Sequence, residues 1–141
     1  MERIKLEMPA VYSFQTELTV RITDINYGGH LGNADTLALI HEARVRFLKT
    51  FGYSETDIEG YGILMLDSVV IYKKQAFAGD VLRIEAAAGG FSRLGCDIFY
   101  RLTDKQSGAE IALAKTAISL FDYQSQKRIS PPKAFIRKLG G

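Results

Sequence analysis

One stretch of the sequence connects a predicted strand to the longest predicted helix: residues 23–33, TDINYGGHLGN, followed by residues 34–51, ADTLALIHEARVRFLKTF. Within the second part, apolar residues recur at helical spacing and polar residues fall on the opposite face. This spacing predicts one helix of about 18 residues, with Asn33 as its N-cap and Gly52 just after its end. Its predicted buried face consists of Leu37, Ile40, Phe47, Leu48 and Phe51.

Upstream of this stretch, residues 12–22 alternate between apolar and polar types, which is typical of a half-buried strand. The predicted inward residues are Tyr12, Phe14, Leu18, Val20 and Ile22. Asp24 and Asn26 continue the same alternation. If the chain stays extended, a carboxylate and a carboxamide therefore leave the inward row where the strand ends, just before the glycines and the helix.

Downstream of the helix, four further strands are predicted at residues 63–74, 81–88, 91–103 and 109–122. The turns between them are short, and consecutive strands joined by short turns are antiparallel. The order strand, helix, four strands predicts an α+β fold in which an antiparallel sheet of about five strands curls around one helix. Pro131 and Pro132 open a short C-terminal segment that is predicted to be helical.

The composition indicates one globular domain over residues 1–141, because 141 residues with 47% hydrophobic and 24% charged residues can form a single core. The predicted core covers about residues 12–122. A single cysteine, Cys96, excludes an intrachain disulfide and a multi-cysteine zinc site. No secretory signal and no apolar run of the roughly 18–20 residues of a membrane span is found, so we expect a cytoplasmic protein without a membrane partner.

The charge is distributed unevenly along the chain. The net charge of +2 is too small to indicate a nucleic-acid partner. Residues 123–141, however, carry five basic residues and no acidic one. A solvated C-terminal segment is the simplest interpretation, and contact with an anionic ligand or with nucleic acid is the alternative.

The residues between Asp24 and the predicted helix could carry chemistry. Free backbone N–H groups at a helix N-terminus favour a developing oxyanion or a phosphate, and a nearby carboxylate suits hydrolysis of an acyl bond. Asx residues and glycines are equally typical of any turn from strand to helix, so spacing alone leaves both interpretations open. The glycines do not follow the G-x-G-x-x-G order, and helices do not alternate with strands, which excludes a Rossmann domain.

Several motifs resemble the signature of hotdog-fold acyl-CoA thioesterases, specifically the 4-hydroxybenzoyl-CoA thioesterase-like group. The motifs are Asp24-x-Asn26-x-x-Gly29-His30 with Asn33, then His41-Glu42-Ala43-Arg44, and then Tyr72-x-x-x-Ala76-x-x-Gly79-Asp80-x-Leu82. The resemblance covers about residues 12–122. It implies a hotdog fold in which two subunits join their sheets edge to edge, as a homodimer or a dimer-of-dimers tetramer, with acyl-CoA sites at the subunit interface.

The resemblance also implies catalytic roles. Many relatives have aspartate where this chain has Asn26, and an amide cannot act as a base or nucleophile. Others have the D-x-N-x-x-G form and use the first aspartate. Asp24 is therefore expected to act as general base toward water, or as nucleophile through an anhydride. Asn26 would orient water or the thioester carbonyl, and the backbone N–H groups of Gly29 and His30 would stabilise the oxyanion.

The same resemblance implies the substrate and its contacts. Hydrolysis of an acyl-CoA requires no metal and no cofactor beyond the CoA of the substrate, and an acyl-carrier protein is an alternative carrier. Asn33 is expected to bind substrate. Lys73, Lys74 and Arg93 could contact CoA phosphates, although a solvated sheet edge explains these cations equally well.

Other polar residues have simpler expected roles. His30 either closes the turn or donates a hydrogen bond to the thioester or to Asp24. We expect Arg44 to reach solvent or to pair with a carboxylate. Asp67 is expected to pair with a basic residue across a dimer, and Cys96 to be a small core residue. Glu42 is expected at the surface or at an interface.

Two other functions stay open. A hydratase or dehydratase would use His30 and Glu42, although the proline-rich segment that follows the histidine in hotdog dehydratases is missing. A non-catalytic acyl-CoA-binding or regulatory protein would bind the ligand tightly without turnover, and Asn26 in place of the commoner aspartate keeps this alternative open.

Overall fold

A computed structural model describes residues 1–140, and these residues form six strands and two α-helices. The elements in chain order are β1 (Phe14–Thr19), α1 (Asn33–Lys49), β2 (Gly62–Tyr72), β3 (Val81–Gly89), β4 (Cys96–Asp104), β5 (Glu110–Asp122), β6 (Lys127–Ile129) and α2 (Lys133–Leu139). One turn of 3₁₀-helix, Ile22–Asp24, lies between β1 and α1. Within residues 1–140, no helix combines the length and the apolar character that crossing a bilayer requires.

The strands form one antiparallel sheet in the order β1-β3-β4-β5-β2, and β6 pairs with β5. The predicted α+β class is confirmed. The prediction of about five strands omits β6, which forms because the chain reverses after β5 and brings Ile129 opposite Leu120. Sequence alternation gives little signal for a strand of three residues.

Helix α1 buries Leu39, Ile40, Ala43, Phe47 and Leu48 against one face of the sheet. Its boundaries and its face differ slightly from the prediction. Asn33 is its first residue and Gly32 is the N-cap, so Asn33 is not the cap. Leu37 is exposed and Leu39 is buried, because the buried face is centred on Ile40, Ala43 and Phe47.

The basic C-terminal segment contributes to the core. In α2, Phe135 and Leu139 are buried, and the Phe135 ring lies 6.1 Å from that of Tyr53 and 6.5 Å from that of Phe91. The predicted core limit at residue 122 is therefore too short. The segment is amphipathic, with its basic residues outside and its aromatic residue inside.

The structure shows the surroundings of three residues whose roles were predicted from the sequence. Arg44 is buried and its Nε donates to Glu55 Oε2 at 2.9 Å, which confirms the predicted carboxylate pair. Cys96 is buried as predicted, and burial raises the pKa of its thiol to about 12. Asp67 pairs with Lys115 of the same chain at 2.8 Å, whereas the prediction placed its basic partner in a second subunit.

Candidate active site

The loop between β1 and α1 is a small hairpin organised by Asn26. Ile25 and Leu31 form a bridge, and the Asn26 N–H donates to the His30 carbonyl at 2.9 Å. The side-chain Oδ1 of Asn26 accepts the N–H of Gly28 at 2.9 Å and the N–H of His30 at 3.4 Å. Because Oδ1 is held by these donors, the amide nitrogen Nδ2 is the free end of the Asn26 side chain.

Asp24 lies at the start of this hairpin, buried beneath Arg21. The alternation predicted to run through residues 22 and 24 is broken by the 3₁₀ turn, so Ile22 is 76% exposed while Asp24 is 3% exposed. Asp24 Oδ2 accepts the Arg21 backbone N–H at 2.8 Å and Nε at 3.3 Å, and Oδ1 accepts Nη2 at 3.2 Å. These hydrogen bonds from Arg21 hold the pKa of Asp24 below its usual range.

A cavity of about 500 Å³ opens at the N-terminus of α1. It is lined by residues of the hairpin, the start of α1, the end of β2 with the segment after it, and the start of β5: Asn26, Tyr27, His30, Leu31, Asn33, Thr36, Tyr72, Lys73, Lys74, Gln75, Ala76, Ile111 and Ala112. The structure thus brings together five of the predicted site residues. The other three, Asp24, Gly29 and Arg93, are not among the lining residues, and none of the lining residues is acidic.

Asn33 contributes a free backbone donor among the residues that line this cavity. Gly29 and His30, the predicted donors, are already engaged: the Gly29 N–H donates to the Asn26 carbonyl at 3.0 Å, and the His30 N–H faces Asn26 Oδ1. In residues 1–140 the Asn33 N–H donates no hydrogen bond. It belongs to the first turn of α1, where the helix dipole favours negative charge.

The imidazole of His30 is the second chemical group of the cavity. Its Nδ1 lies 3.4 Å from the carbonyl oxygen of Leu31. When Nδ1 carries the proton and donates to that carbonyl, Nε2 has an unshared electron pair. No residue in the described range 1–140 forms a hydrogen bond with Nε2, so this atom can accept a proton from a bound water.

Contacts to the segment after β2 fix the cavity wall. The Tyr72 hydroxyl donates to the Asn33 carbonyl at 3.1 Å, and the Leu31 N–H donates to the Ala76 carbonyl at 2.8 Å. Partial burial raises the pKa of Tyr72.

Sequence reasoning gave Tyr72 and Ala76 no role in the site beyond the family motif, and it missed Thr36 and Gln75 entirely. Thr36 reaches the cavity through the first turn of α1, whereas only the pairing of distant segments brings Tyr72, Gln75 and Ala76 to the hairpin.

Glu42 does not reach this cavity. Its carboxylate accepts Arg46 Nε at 3.0 Å on α1, and it lines a separate cavity together with Arg21. His30 and Glu42 are therefore not brought together. Residues 1–140 contain no group of three or more histidine, cysteine, aspartate or glutamate side chains that could hold a metal ion.

Comparisons with known proteins agree with this architecture. A family model described as the thioesterase-like superfamily matches residues 20–139. No curated protein matches the sequence.

Among solved structures, the 1,4-dihydroxy-2-naphthoyl-CoA thioesterase from Synechocystis superposes with a TM-score of 0.81 at 19% identity, covering 89% of this chain and 94% of that chain. A protein from Aquifex aeolicus has a TM-score of 0.81 at 22% identity, covering 89% and 98%. A Staphylococcus aureus protein solved in complex with CoA has a TM-score of 0.79 at 16% identity, covering 94% and 85%. The predicted hotdog fold is confirmed.

Proposed function

The chain belongs to the thioesterase-like superfamily, and on that premise we propose that it hydrolyses acyl-CoA thioesters to a carboxylic acid and CoA. The observation that carries the proposal is the cavity at the N-terminus of α1, which is lined both by Asn33, whose N–H is unpaired, and by His30. An oxyanion donor and a base on one cavity are the two groups that hydrolysis of a thioester requires.

The proposed oxyanion site is made by Asn33 and Asn26. Attack on the thioester places negative charge on the carbonyl oxygen, and the Asn33 N–H donates to it at the positive end of the α1 dipole. The free Nδ2 of Asn26 supplies a second donor, since Oδ1 is held by Gly28. Both donors are fixed before substrate binds, so little reorganisation is needed when the charge develops.

The proposed base is His30. Its Nε2 takes a proton from water as the water oxygen bonds to the carbonyl carbon. When the tetrahedral intermediate collapses, the carbon–sulfur bond breaks, the thiolate of CoA leaves, and the imidazolium returns the proton to sulfur. Lys73 and Lys74, which also line the cavity, supply positive charge for the phosphates of the bound CoA.

In this proposed mechanism, Asp24 has a different role from the base or nucleophile that its motif implies. Its carboxylate is covered by Arg21, and its backbone carbonyl accepts the Gly32 N–H at 3.0 Å. It thereby holds the beginning of the hairpin to its end, one residue before the oxyanion donor. We propose that Asp24 is a positioning residue, and direct attack by its carboxylate would require Arg21 to leave.

The function is tested by measuring thiol release from a panel of acyl-CoA substrates. The panel contains benzoyl-CoA, 1,4-dihydroxy-2-naphthoyl-CoA, and short and long saturated acyl-CoAs, with an enoyl-CoA whose absorbance reports hydration of the double bond. We expect stoichiometric release of CoA thiol and free acid from at least one member. Hydration without thiol release would identify a hydratase, and tight CoA binding without turnover would identify a binding protein; either result contradicts the proposal.

A further inference from the structure

Residues 1–13 form an N-terminal arm that precedes β1 and lies outside the part of the chain matched by the family model. The arm has no helix or strand, yet it is placed against the sheet. The guanidinium of Arg101 on β4 lies 4.9 Å from the centre of the Tyr12 ring. Nearer the N-terminus, Leu6 shares a cavity with Ile71 on β2 and Leu113 on β5. The arm therefore covers the face of the sheet opposite α1.

The course of the arm follows one row of cross-strand neighbours. Strand pairing places Glu85 opposite Arg101, Arg101 opposite Leu113, and Leu113 opposite Ile71. Tyr12 lies over the middle of this row and Leu6 lies at its β2 end. The arm thus crosses the sheet to the edge strand whose last residue, Tyr72, and the following Lys73 line the candidate active site.

The end of the arm creates a second cavity of about 400 Å³ beside the first. It is lined by three cations and four apolar residues: Arg3, Lys5 and Lys73, with Ile4, Leu6, Ile71 and Leu113. Lys73 lines both cavities, so the second cavity adjoins the first at this side chain. The arm therefore extends the candidate active site along the outer face of the sheet.

These three cations form no ion pair in the described part of the chain, since no carboxylate lies within 4.0 Å of the charged atoms of Arg3, Lys5 or Lys73. On the same sheet face, by contrast, Lys115 pairs with Asp67 at 2.8 Å and with Asp97 at 3.7 Å. The arm also carries Glu2 and Glu7, but neither lines this cavity, so its lining is positively charged and favours a bound polyanion.

We propose that the arm and Lys73 together bind the 3′-phosphorylated ADP portion of CoA. This inference rests on the proposed function, which places the thioester in the first cavity. Arg3, Lys5 and Lys73 bind the phosphates, since guanidinium and ammonium groups form charge-assisted hydrogen bonds with phosphate oxygens. Leu6, Ile71 and Leu113 supply an apolar wall for the adenine ring. The arm would therefore make the protein selective for CoA over carriers that lack the nucleotide.

The test measures CoA binding by isothermal titration calorimetry, independently of turnover. The double variant Arg3→Glu/Lys5→Glu is compared with wild type and with Lys49→Glu, which reverses an exposed cation at the other end of α1. Arg3 and Lys5 are exposed, so their replacement leaves the core intact. We expect the CoA dissociation constant to rise at least about tenfold in the double variant and less than about twofold in Lys49→Glu.

A second set of ligands identifies which part of CoA the arm binds. We expect the difference between wild type and the double variant to be smaller with 3′-dephospho-CoA and to vanish with 4′-phosphopantetheine. Equal affinity of both proteins for CoA would overturn the inference. An equal loss with 4′-phosphopantetheine would also overturn it, as would a loss confined to a holo acyl-carrier protein.

The outcomes separate this inference from the proposed function. A protein that binds CoA through the arm but releases no thiol from any acyl-CoA contradicts the proposed function alone. If wild type and the double variant hydrolyse acyl-CoA with the same KM, the result contradicts only the proposal that the arm binds the nucleotide of CoA. An acyl thioester of N-acetylcysteamine, which lacks the nucleotide, provides the matched substrate, and its KM should not change in the double variant.

Discussion

Asp24 and Arg21 show how a motif residue can have a structural reason for its identity. The Asp24 carboxylate accepts one backbone and two side-chain hydrogen bonds from Arg21, and its backbone carbonyl closes the hairpin at Gly32. A residue with these contacts would be required for the local fold whether or not it touches substrate. Its motif position and its role in chemistry are therefore separate questions.

This contact makes a prediction about stability against pH. Because Arg21 lowers the pKa of Asp24 in the folded protein, the stabilisation is complete above the unfolded pKa of about 3.9 and is lost as pH falls through the folded value. We expect Asp24→Asn to cost about 1–2 kcal/mol of unfolding free energy at pH 7, a figure reduced for the exposure of Arg21. Denaturant unfolding at several pH values measures this cost.

The difference between wild type and Asp24→Asn should shrink as pH falls below about 3.9. Arg21→Ala should lose part of the same stabilisation over the same pH range, because only the backbone donor then remains. A difference between wild type and Asp24→Asn that does not change with pH would show that the ionised carboxylate is not the stabilising species.

Among the secondary-structure elements, the β3–β4 connection depends on one glycine. Gly95 has a φ of 154°, and a Cβ at this position would lie 1.8 Å from the carbonyl oxygen of Ile118 on the neighbouring strand. We expect Gly95→Ala to cost at least about 3 kcal/mol, because backbone of the sheet would have to move. Gly108→Ala is the matched control, since Gly108 also has a positive φ of 75° but open space around it, and it should cost about 1 kcal/mol. Thermal unfolding of both variants measures the difference, and equal losses would contradict the steric argument.

The connection between β1 and α1 shows where sequence reasoning stops. The alternation predicts a strand over residues 12–22, and β1 is the shorter Phe14–Thr19, with Tyr12 over Arg101 on the outer face instead of inward. Helical spacing correctly predicts α1 to within a few residues. The 3₁₀ turn is not predicted, because Ile22 and Asp24 fit the alternation equally well in an extended chain. Hydrogen bonds between Arg21 and Asp24 stabilise this turn, and the spacing of apolar residues in the sequence does not indicate such bonds.

The candidate active site was likewise predictable only in part, because the sequence places neighbouring residues but does not show their hydrogen bonds. Asn26, His30 and Asn33 lie close together in the sequence, so their motif is sufficient to place them. The direction of each N–H was not predictable, because the Asn26 side chain occupies the donors of Gly28 and His30 and leaves that of Asn33 free. Glu55 and Tyr72 reach their partners across 11 and 39 residues, and only the folded chain shows these contacts.

At the scale of the whole molecule, the two edge strands of the sheet, β1 and β2, differ in length and in how much apolar surface they expose. The β1 edge is short and contacted by Arg46, whose Nη1 donates to Thr16 Oγ1 at 2.8 Å and to the Glu17 carbonyl at 3.1 Å. The β2 edge spans 11 residues and exposes Met65 and Leu66 at 42% and 40%. A long edge strand with exposed apolar residues favours pairing with another strand. We therefore expect β2 to pair with β2 of a second copy.

This expectation is tested by solution mass. Light scattering during size-exclusion chromatography should give a multiple of 15.7 kDa for wild type. The double variant Met65→Lys/Leu66→Lys should give the monomer mass, since lysine on an edge strand opposes pairing. Leu94→Lys, which adds a charge at an exposed leucine in the β3–β4 loop, should retain the wild-type mass. A monomeric wild type, or a double variant of unchanged mass, would contradict pairing through β2.

The most direct test of the account compares the two histidines of the chain in one assay. His30 lines the cavity, whereas His41 lies outside it with Nε2 2.5 Å from Glu55. With the acyl-CoA that wild type hydrolyses fastest, we expect His30→Gln to lower kcat for thiol release by about 10²–10⁴-fold. His41→Gln should stay within about threefold of wild type. A His30→Gln protein that is folded and retains wild-type kcat would contradict the assignment of the base and of the cavity as the site of hydrolysis.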